Sequence, residues 1–95
     1  MPLRFSWDSR KAESNWAKHG VTFEEAVSVF ADPFGRIFDD AAHSERERRE
    51  LIVGHSKLRR LLLVSFSERE EKIRIISARK ATRAERKDYE ENSGS

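Results

Sequence analysis

Residues 50–79 read ELIVGHSKLRRLLLVSFSEREEKIRIISAR, and they contain most of the Leu, Ile and Val residues of the chain. They divide into three apolar runs, 50–55, 60–67 and 72–79, of the aliphatic and β-branched composition that is typical of strands. The connections between the runs are short and polar. Because a short connection joins antiparallel neighbours, this stretch predicts three consecutive antiparallel strands.

A further strand and a helix are predicted at the N-terminus. Apolar and polar residues alternate through residues 3–7, as they do in a half-buried strand. The side chain of Asp8 can then cap a helix over residues 9–19, and Gly20 can end that helix in the left-handed conformation. The strand is therefore expected to lead straight into the first helix.

The two tryptophans, Trp7 and Trp16, are aromatic residues of the kind that can stack on nucleic-acid bases. Trp16 shares one face of the predicted helix with Ala12, and Trp7 belongs to the first strand. This apolar spacing favours core packing over base stacking for both tryptophans.

A second helix is predicted to begin after Thr22, which has the capping-box spacing with Glu25. Four apolar residues follow at intervals typical of one helix face, and Asp32-Pro33 ends the helix. These four are Phe23, Ala26, Val27 and Phe30. The turn between the two helices is very short, so they are expected to form a hairpin. A short strand over residues 36–39 is predicted to follow, ahead of the main strands.

The last helix is predicted to begin after Thr82, where Glu85 repeats the capping-box spacing, and to reach about Glu91. Residues 92–95 are small and polar and are expected to form a flexible tail. The whole pattern indicates one α+β domain over residues 1–91, in which helices pack against a twisted antiparallel sheet.

Charge is distributed unevenly along the chain. Residues 1–45 contain 5 Lys/Arg against 8 Asp/Glu, a net charge of −3, whereas residues 46–95 contain 14 against 9, a net charge of +5. A basic C-terminal half suits a polyanion such as RNA. Charge alone leaves open a solvated helix face without a ligand, and it favours that alternative.

Several classes of site are excluded or disfavoured by the composition. The chain has no cysteine, which excludes disulfides, thiol nucleophiles and thiolate zinc sites and fits a reducing cytoplasm. No cluster of His, Asp and Glu has the spacing of metal ligands, so we expect neither a metal nor a cofactor. The chain also lacks an export signal and a long apolar run. We therefore expect a cytoplasmic protein with no membrane partner.

Two sets of residues match the signature of a known family in order and in spacing. The first set is Trp7, Asp8, Lys11, Asn15, Lys18, His19, Gly20, Val21, Phe23, Glu25, Ala26, Phe30, Asp32 and Pro33. The second set is the run 73–82, followed by Glu85, Arg86, Tyr89 and Glu90. Together they cover nearly the whole chain and resemble BrnT, a family of toxins from bacterial type II toxin-antitoxin systems.

The resemblance implies a RelE-like fold and a metal-independent endoribonuclease that cleaves RNA and inhibits translation. It also implies a BrnA-like antitoxin with a ribbon-helix-helix end, which neutralises the toxin. Toxin and antitoxin are expected to form a heterotetramer, and operator DNA is expected to bind only through that complex. The alternative is a non-catalytic basic module that binds protein or nucleic acid, since no catalytic triad, phosphate loop or metal motif contradicts it.

Metal-free RNA cleavage uses the adjacent 2′-hydroxyl as nucleophile, so the protein must move protons and stabilise the phosphate. Arginine suits the phosphate because its planar fork can bind two oxygens. Arg79 ends the last predicted strand, and Arg86 and Tyr89 lie one turn apart on the last helix, so these three are predicted to converge as catalytic residues. Glu68 is the candidate base. The alternatives are a salt bridge from Arg79 to Glu85 or Glu90, helix packing for Tyr89 and a solvated carboxylate for Glu68.

Five further residues are candidates for RNA binding: Arg74, Arg83, Lys80, Lys18 and His19. Lys18 and His19 end the first helix, where cations also suit the helix dipole. Strict alternation places Arg74 on the opposite side of its strand from Arg79, unless a bulge intervenes. A solvated surface position is the alternative for each of these residues.

Overall fold

The computed structural model describes residues 3–43 and 48–92. In these ranges the elements follow the predicted order of one strand, two helices, four strands and a final helix, which confirms the α+β class. The strands are β1 (Arg4–Ser6), β2 (Arg36–Asp39), β3 (Glu50–His55), β4 (Leu61–Arg69) and β5 (Lys72–Lys80). The helices are α1 (Ser9–His19), α2 (Phe23–Ser28) and α3 (Arg83–Asn92), with short 3-10 helices at Val29–Ala31 and Ala41–His43.

The predicted helix caps are present. Asp8 accepts hydrogen bonds from two backbone N–H groups in the first turn of α1, at 2.8 and 3.2 Å. Gly20 ends α1 with a φ of 64°, in the left-handed region. Thr22 Oγ1 accepts the N–H of Glu25, in the first turn of α2, at 3.0 Å. At the other end of the chain Asn92 belongs to α3, and residues 93–95 of the predicted tail lie outside the described residues.

The five strands form one sheet in the order β1-β5-β4-β3-β2. Strands β3, β4 and β5 are antiparallel neighbours, as predicted, and β2 also pairs antiparallel with β3. β1, however, pairs in parallel with residues 72–74 of β5, so the prediction of a wholly antiparallel sheet is wrong at this edge. A parallel pair needs a long crossover connection, and here the whole segment from α1 to β4 lies between the two strands. The sheet is therefore mixed.

Alternating side chains divide the core between the two faces of the sheet. One face carries the main core under α1 and α2, with Phe23, Val29, Leu62, Val64 and Ile75 among its buried members. The opposite face carries a smaller cluster, which Tyr89 of α3 covers. We call this opposite face the α3 face, and it includes Leu51, Val53, Leu61 and Leu63.

A β-bulge interrupts the alternation on β5. The pairing of β4 with β5 shifts register between Ser65 and Phe66, and Ile76 is the extra residue on β5. Strict alternation would place Arg74 and Arg79 on opposite faces. Because of the bulge, both lie on the α3 face, so the expectation from alternation is wrong.

The predicted core side of α1 is wrong for Trp16, although Ala12, the other residue of the predicted face, packs against the main core. Trp16, which the spacing places in the core, is 58% exposed, and the adjacent Asn15 is the buried residue of this helix. Trp7 does pack in the core, where it meets the ring of Phe23 edge-on at 5.9 Å between centroids. A polar contact rather than an apolar stripe thus sets the rotation of α1.

The side chain of Asn15 takes the place of a strand at the edge of β5. β1 pairs only with residues 72–74, and Asn15 occupies the edge further along. Its Oδ1 accepts the Ala78 N–H at 3.0 Å, and its Nδ2 donates to the Ala78 carbonyl at 2.8 Å. Nδ2 also donates to the carbonyl of Val21 at 2.9 Å. These buried bonds fix α1 beside the sheet.

A buried carboxylate ties α2 to the turn between β3 and β4. Glu25 is 2% exposed, and it forms an ion pair with the guanidinium of Arg60 and accepts the Ser56 hydroxyl at 2.6 Å. The hydrogen bond from Arg60 is the main cause that lowers the pKa of Glu25, against the opposing effect of burial. Because its side chain is engaged in this way, Glu25 supplies only the backbone half of the capping box at Thr22.

Replacing Asn15 with Ala is expected to lower the free energy of unfolding by about 3 kcal/mol, because it leaves buried backbone groups unpaired. Urea denaturation followed by circular dichroism measures this change. Glu13→Ala, at an exposed position of the same helix, is the matched control and should change stability by about 0.5 kcal/mol or less. Equal stability of the two variants would show that the amide does not hold α1 to β5.

Candidate functional site

A cleft of about 450 Å³ opens on the α3 face, where β3, β4 and β5 lie side by side. α1 forms one wall, and the segment between β2 and β3 forms another. The lining residues are His19, Asp40, Arg49, Leu51, Leu63, Ser65, Ile76, Ser77, Ala78 and Arg79. The strands thus supply an apolar and hydroxyl-bearing floor, and the charged residues stand around it.

The cleft continues along α1 into a smaller cavity of about 270 Å³. The two cavities share His19, Arg49, Ile76 and Ser77, and the smaller one adds Lys11, Ser14, Asn15 and Lys18. Four side chains of the combined lining are cationic, and one, Asp40, is a carboxylate. This lining has the charge that suits a polyanion.

Arg79 is held in the cleft by three hydrogen bonds. Its Nη1 and Nη2 donate to the two carboxylate oxygens of Glu85 at 2.9 Å each, and Nη1 also donates to the Lys80 carbonyl at 3.1 Å. This bidentate pair raises the pKa of Arg79 and lowers the pKa of Glu85, chiefly through the hydrogen bonds between them. The guanidinium of Arg79 is therefore permanently charged and held in one orientation where it lines the cleft.

Glu85 also completes the capping box at the start of α3. Its backbone N–H donates to Thr82 Oγ1 at 3.1 Å, and its Oε1 accepts the Thr82 N–H at 2.8 Å. The same carboxylate therefore starts the helix and holds Arg79.

The far end of α3 is anchored by Tyr89. Its hydroxyl donates to Asp32 Oδ2 at 2.7 Å, and the same oxygen accepts the His55 backbone N–H at 2.8 Å. Because the phenol proton is given to Asp32, His55 Nδ1 is the donor in its 3.1 Å contact with the phenol oxygen. Burial and Asp32 raise the pKa of Tyr89 to about 12. The phenol therefore remains a donor at neutral pH.

Asp32 keeps its charge although it lies largely out of water. Burial opposes ionisation, but hydrogen bonds from the His55 N–H, the Tyr89 hydroxyl and the Phe34 N–H together hold the pKa of Asp32 below its usual value. This cluster was not found from the sequence, because its members are separated by up to 57 residues.

The structure brings three of the predicted residues, Lys18, His19 and Arg79, together in the cleft. Arg83 and Arg86 are exposed on α3 and are not among the lining residues. The predicted convergence of Tyr89 with Arg79 does not occur in the cleft, since Tyr89 is 5% exposed and bonded to Asp32. The catalytic roles of Arg86 and Tyr89 stay predictions. Of the residues predicted to be catalytic, Arg79 is the one that lines the cleft.

The remaining candidates lie elsewhere on the sheet. Lys80 pairs with Leu62, so it belongs to the face with the main core. Glu68 pairs with Ile73 near the β4–β5 turn, five residues along β4 from the partner of Arg79, or roughly 16 Å. Glu68 and Arg79 are thus not brought together.

Arg74 is on the α3 face but belongs to a separate cavity of about 200 Å³ near the β4–β5 turn. Arg69 and Lys72 also line this cavity, together with Ser6, Ser67 and Glu70. The partner residues of Arg74 and Arg79 on β4 are Ser67 and Leu63, which are roughly 13 Å apart along the strand. A chain of phosphates that crosses the α3 face would meet both arginines.

Two cations of the cleft were missed as site residues. Lys11 is seven residues before Lys18, so the two share one face of α1, and this spacing could have identified it. Arg49 precedes β3, and only the folded sheet brings it opposite α1. The mixed charges of residues 44–50 favour a solvated connector and leave Arg49 only as an alternative position at the edge of the site. Residues 44–47 lie outside the described residues.

A protein-family model described as the ribonuclease toxin BrnT of type II toxin-antitoxin systems matches residues 7–85. The chain belongs to this family. The family predicted from the sequence signature is therefore confirmed, and with it a ribonuclease toxin of a toxin-antitoxin pair. RNA is the substrate class of such a toxin, and an antitoxin is its partner.

A solved structure agrees with the fold. The 1.1 Å crystal structure of the Brucella abortus ribonuclease toxin BrnT matches this chain with a TM-score of 0.66 and 21% sequence identity. The match covers 86% of this chain and 100% of that chain. No curated protein sequence matches the chain.

Two negative findings apply to the described residues, 3–43 and 48–92. They contain no group of three or more His, Asp or Glu side chains arranged to hold a metal ion. They also contain no helix that is long and apolar enough to span a membrane.

The contacts of Tyr89 predict that Tyr89→Phe lowers stability and leaves RNA cleavage intact. The buried Asp32 carboxylate loses a hydrogen bond, which typically costs about 1–3 kcal/mol. Thermal unfolding and the cleavage rate per folded molecule measure the two effects separately. A fall in kcat at parental stability would instead support the catalytic role predicted from the sequence.

Proposed function

We propose that this BrnT-family chain is a metal-independent endoribonuclease whose active site is the cleft on the α3 face. The observation that carries the proposal is the set of basic side chains around one floor: Arg79 from β5, Arg49 from before β3, and Lys11, Lys18 and His19 from α1. Fixed positive charge can stabilise a crowded phosphate in the way that a metal ion does in other nucleases.

The proposed reaction is attack by a ribose 2′-oxygen on the adjacent phosphorus. The bond from the 2′-oxygen to phosphorus forms as the bond from phosphorus to the 5′-oxygen breaks. One proton leaves the 2′-hydroxyl, and one is delivered to the departing 5′-oxygen. The products are a 2′,3′-cyclic phosphate and a 5′-hydroxyl end, so that atoms and charge balance without a metal or a cofactor.

The lining of the cleft supplies side chains for phosphate binding and for proton transfer. Arg79 binds the non-bridging phosphate oxygens, because its guanidinium is charged and oriented. His19 is present in both parts of the cleft, and imidazole is the side chain best suited to proton transfer near neutral pH. Lys18 and Lys11 hold neighbouring phosphates along α1, and Arg74 extends the path toward the β4–β5 turn.

The cellular role follows from the family and remains part of the proposal. Cleavage of RNA inhibits translation, and a BrnA-like ribbon-helix-helix antitoxin neutralises the toxin in a cytoplasmic heterotetramer. Operator DNA is bound through the antitoxin in that complex. The RelE-like description of the fold belongs to the same proposal.

Replacing Arg79 with Ala is expected to reduce kcat/KM for RNA cleavage about 100- to 1,000-fold, as the loss of one preorganised donor does. The same variant should no longer arrest growth when it is induced in bacteria without an antitoxin. Arg86→Ala is the matched control, since Arg86 is an exposed arginine seven residues away that does not line the cleft. Equal losses in both variants would extend the site along α3, and parental activity of Arg79→Ala would place it elsewhere.

Metal independence is tested by chelation. Cleavage of a purified RNA oligonucleotide is expected to proceed at the same rate in EDTA and in Mg²⁺, because the proposed charge stabilisation comes from side chains. Analysis of the product ends should find a cyclic phosphate and a 5′-hydroxyl. Activity that EDTA abolishes and a divalent ion restores would contradict the proposal.

A further inference from the structure

The hydrogen bonds of Arg79 leave one particular edge of its guanidinium available. A guanidinium has five N–H donors. Nη1 uses both of its hydrogens, on Glu85 Oε1 and the Lys80 carbonyl, and Nη2 uses one, on Glu85 Oε2. Among residues 3–43 and 48–92, the Nε hydrogen and the second Nη2 hydrogen of Arg79 have no acceptor, and they lie side by side. They form a complete second fork, of the kind that binds two phosphate oxygens.

The carboxylate of Glu85 is itself immobilised. Its Oε1 accepts the Thr82 N–H at 2.8 Å, and the Glu85 N–H donates to Thr82 Oγ1 at 3.1 Å. The ion pair is also partly shielded, with 37% of the Arg79 side chain and 26% of the Glu85 side chain exposed. The start of α3 therefore holds the carboxylate, and the carboxylate holds the arginine.

We propose that Glu85 is a positioning residue that fixes Arg79 so that its Nε–Nη2 edge binds an RNA phosphodiester in the cleft. This inference rests on the proposed function. It contrasts with a simpler expectation, in which the carboxylate competes with RNA for the arginine and inhibits the enzyme. Both models start from the same ion pair, but they predict opposite effects when the carboxylate is removed.

Competition is disfavoured by the geometry. A competing carboxylate would have to leave the guanidinium, and its departure would also break its bond to the Thr82 N–H. The fork that Glu85 occupies is the Nη1–Nη2 edge, so a phosphate at the Nε–Nη2 edge does not require that departure. A bound phosphate and Glu85 can therefore share one arginine.

The test compares Glu85→Gln with the parent. Glutamine keeps the shape and one carbonyl acceptor, but its amide presents N–H groups to the arginine fork and carries no charge. We expect kcat/KM for RNA cleavage to fall about 10- to 100-fold, as misplacement of a catalytic group does. Binding of an RNA oligonucleotide that is 2′-O-methylated at every ribose should weaken as well, as measured by fluorescence anisotropy. This probe cannot be cleaved through its 2′-oxygens.

Thr82→Ala is the matched control for helix capping. It removes the hydroxyl half of the capping box, at a cost of about 1 kcal/mol in stability, and keeps the contact between Glu85 and Arg79. Binding and cleavage should stay within about twofold of the parent. Equal losses in Thr82→Ala and Glu85→Gln would assign the effect to the helix cap and overturn the proposal.

Arg79→Lys supplies a second variant that leaves the cap intact. Lysine keeps the charge but has no fork, so RNA binding should weaken as it does in Glu85→Gln. In an Arg79→Ala background, Glu85→Gln should change RNA binding by about twofold or less, because the residue through which it acts is gone. Parental binding by Arg79→Lys, or a full further loss in the double variant, would overturn the proposal.

The outcomes separate this inference from the proposed function. Parental cleavage by Arg79→Ala would place the active site outside the cleft and overturn the proposed function itself. An inactive Arg79→Ala together with parental or increased RNA binding by Glu85→Gln would overturn only the positioning role of Glu85.

Discussion

The cleft depends on two hydrogen bonds between the side-chain amide of Asn15 and the backbone of Ala78. Asn15 bonds both the N–H and the carbonyl of Ala78, at the part of the β5 edge that β1 does not reach. A strand at this position would have buried the edge and left no wall beside the cleft. A helix at the same position satisfies the edge and presents Lys18 and His19 next to Arg79. One polar contact thus completes the sheet and creates the wall of the site.

The attachment of α3 to the sheet depends on two further polar contacts, one toward each end of the helix. The carboxylate of Glu85 bonds Arg79, and the hydroxyl of Tyr89 bonds Asp32. Tyr89 is the one residue of α3 in the buried cluster on the α3 face of the sheet. Ionic and hydrogen-bonded contacts therefore contribute much of the attachment of this helix. The orientation of Arg79 at the site is coupled to the charge of the partly exposed Glu85 carboxylate.

Local sequence signals were sufficient for the elements and for the antiparallel succession of β3, β4 and β5, and insufficient for the positions of β1 and α1. Asp8, Gly20 and Thr82 mark helix ends through bonds to neighbours a few residues away, so the sequence alone predicts them. Asn15 acts on a residue 63 positions away, and nothing near Asn15 indicates that partner. The spacing of Trp16 suggested burial because apolar periodicity is the usual cause of helix orientation. In α1 the side-chain amide of Asn15 sets the orientation of the helix instead. The place of Arg49 in the cleft likewise depends on the folded sheet.

The bulge at Ile76 has a consequence for how sequences of this kind can change over time. On a regular strand, one extra or missing residue exchanges the two faces for everything beyond it. In β5 the extra residue already separates a segment that buries Ile75 from one that buries Ala78. Losing Ile76 itself would leave a regular strand, in which Ser77, Ala78 and Arg79 keep their partners on β4 and their faces. The bulge is therefore the place where β5 can become one residue shorter with its core and its site intact, whereas a change in length in a regular part of the strand would exchange the two faces beyond it.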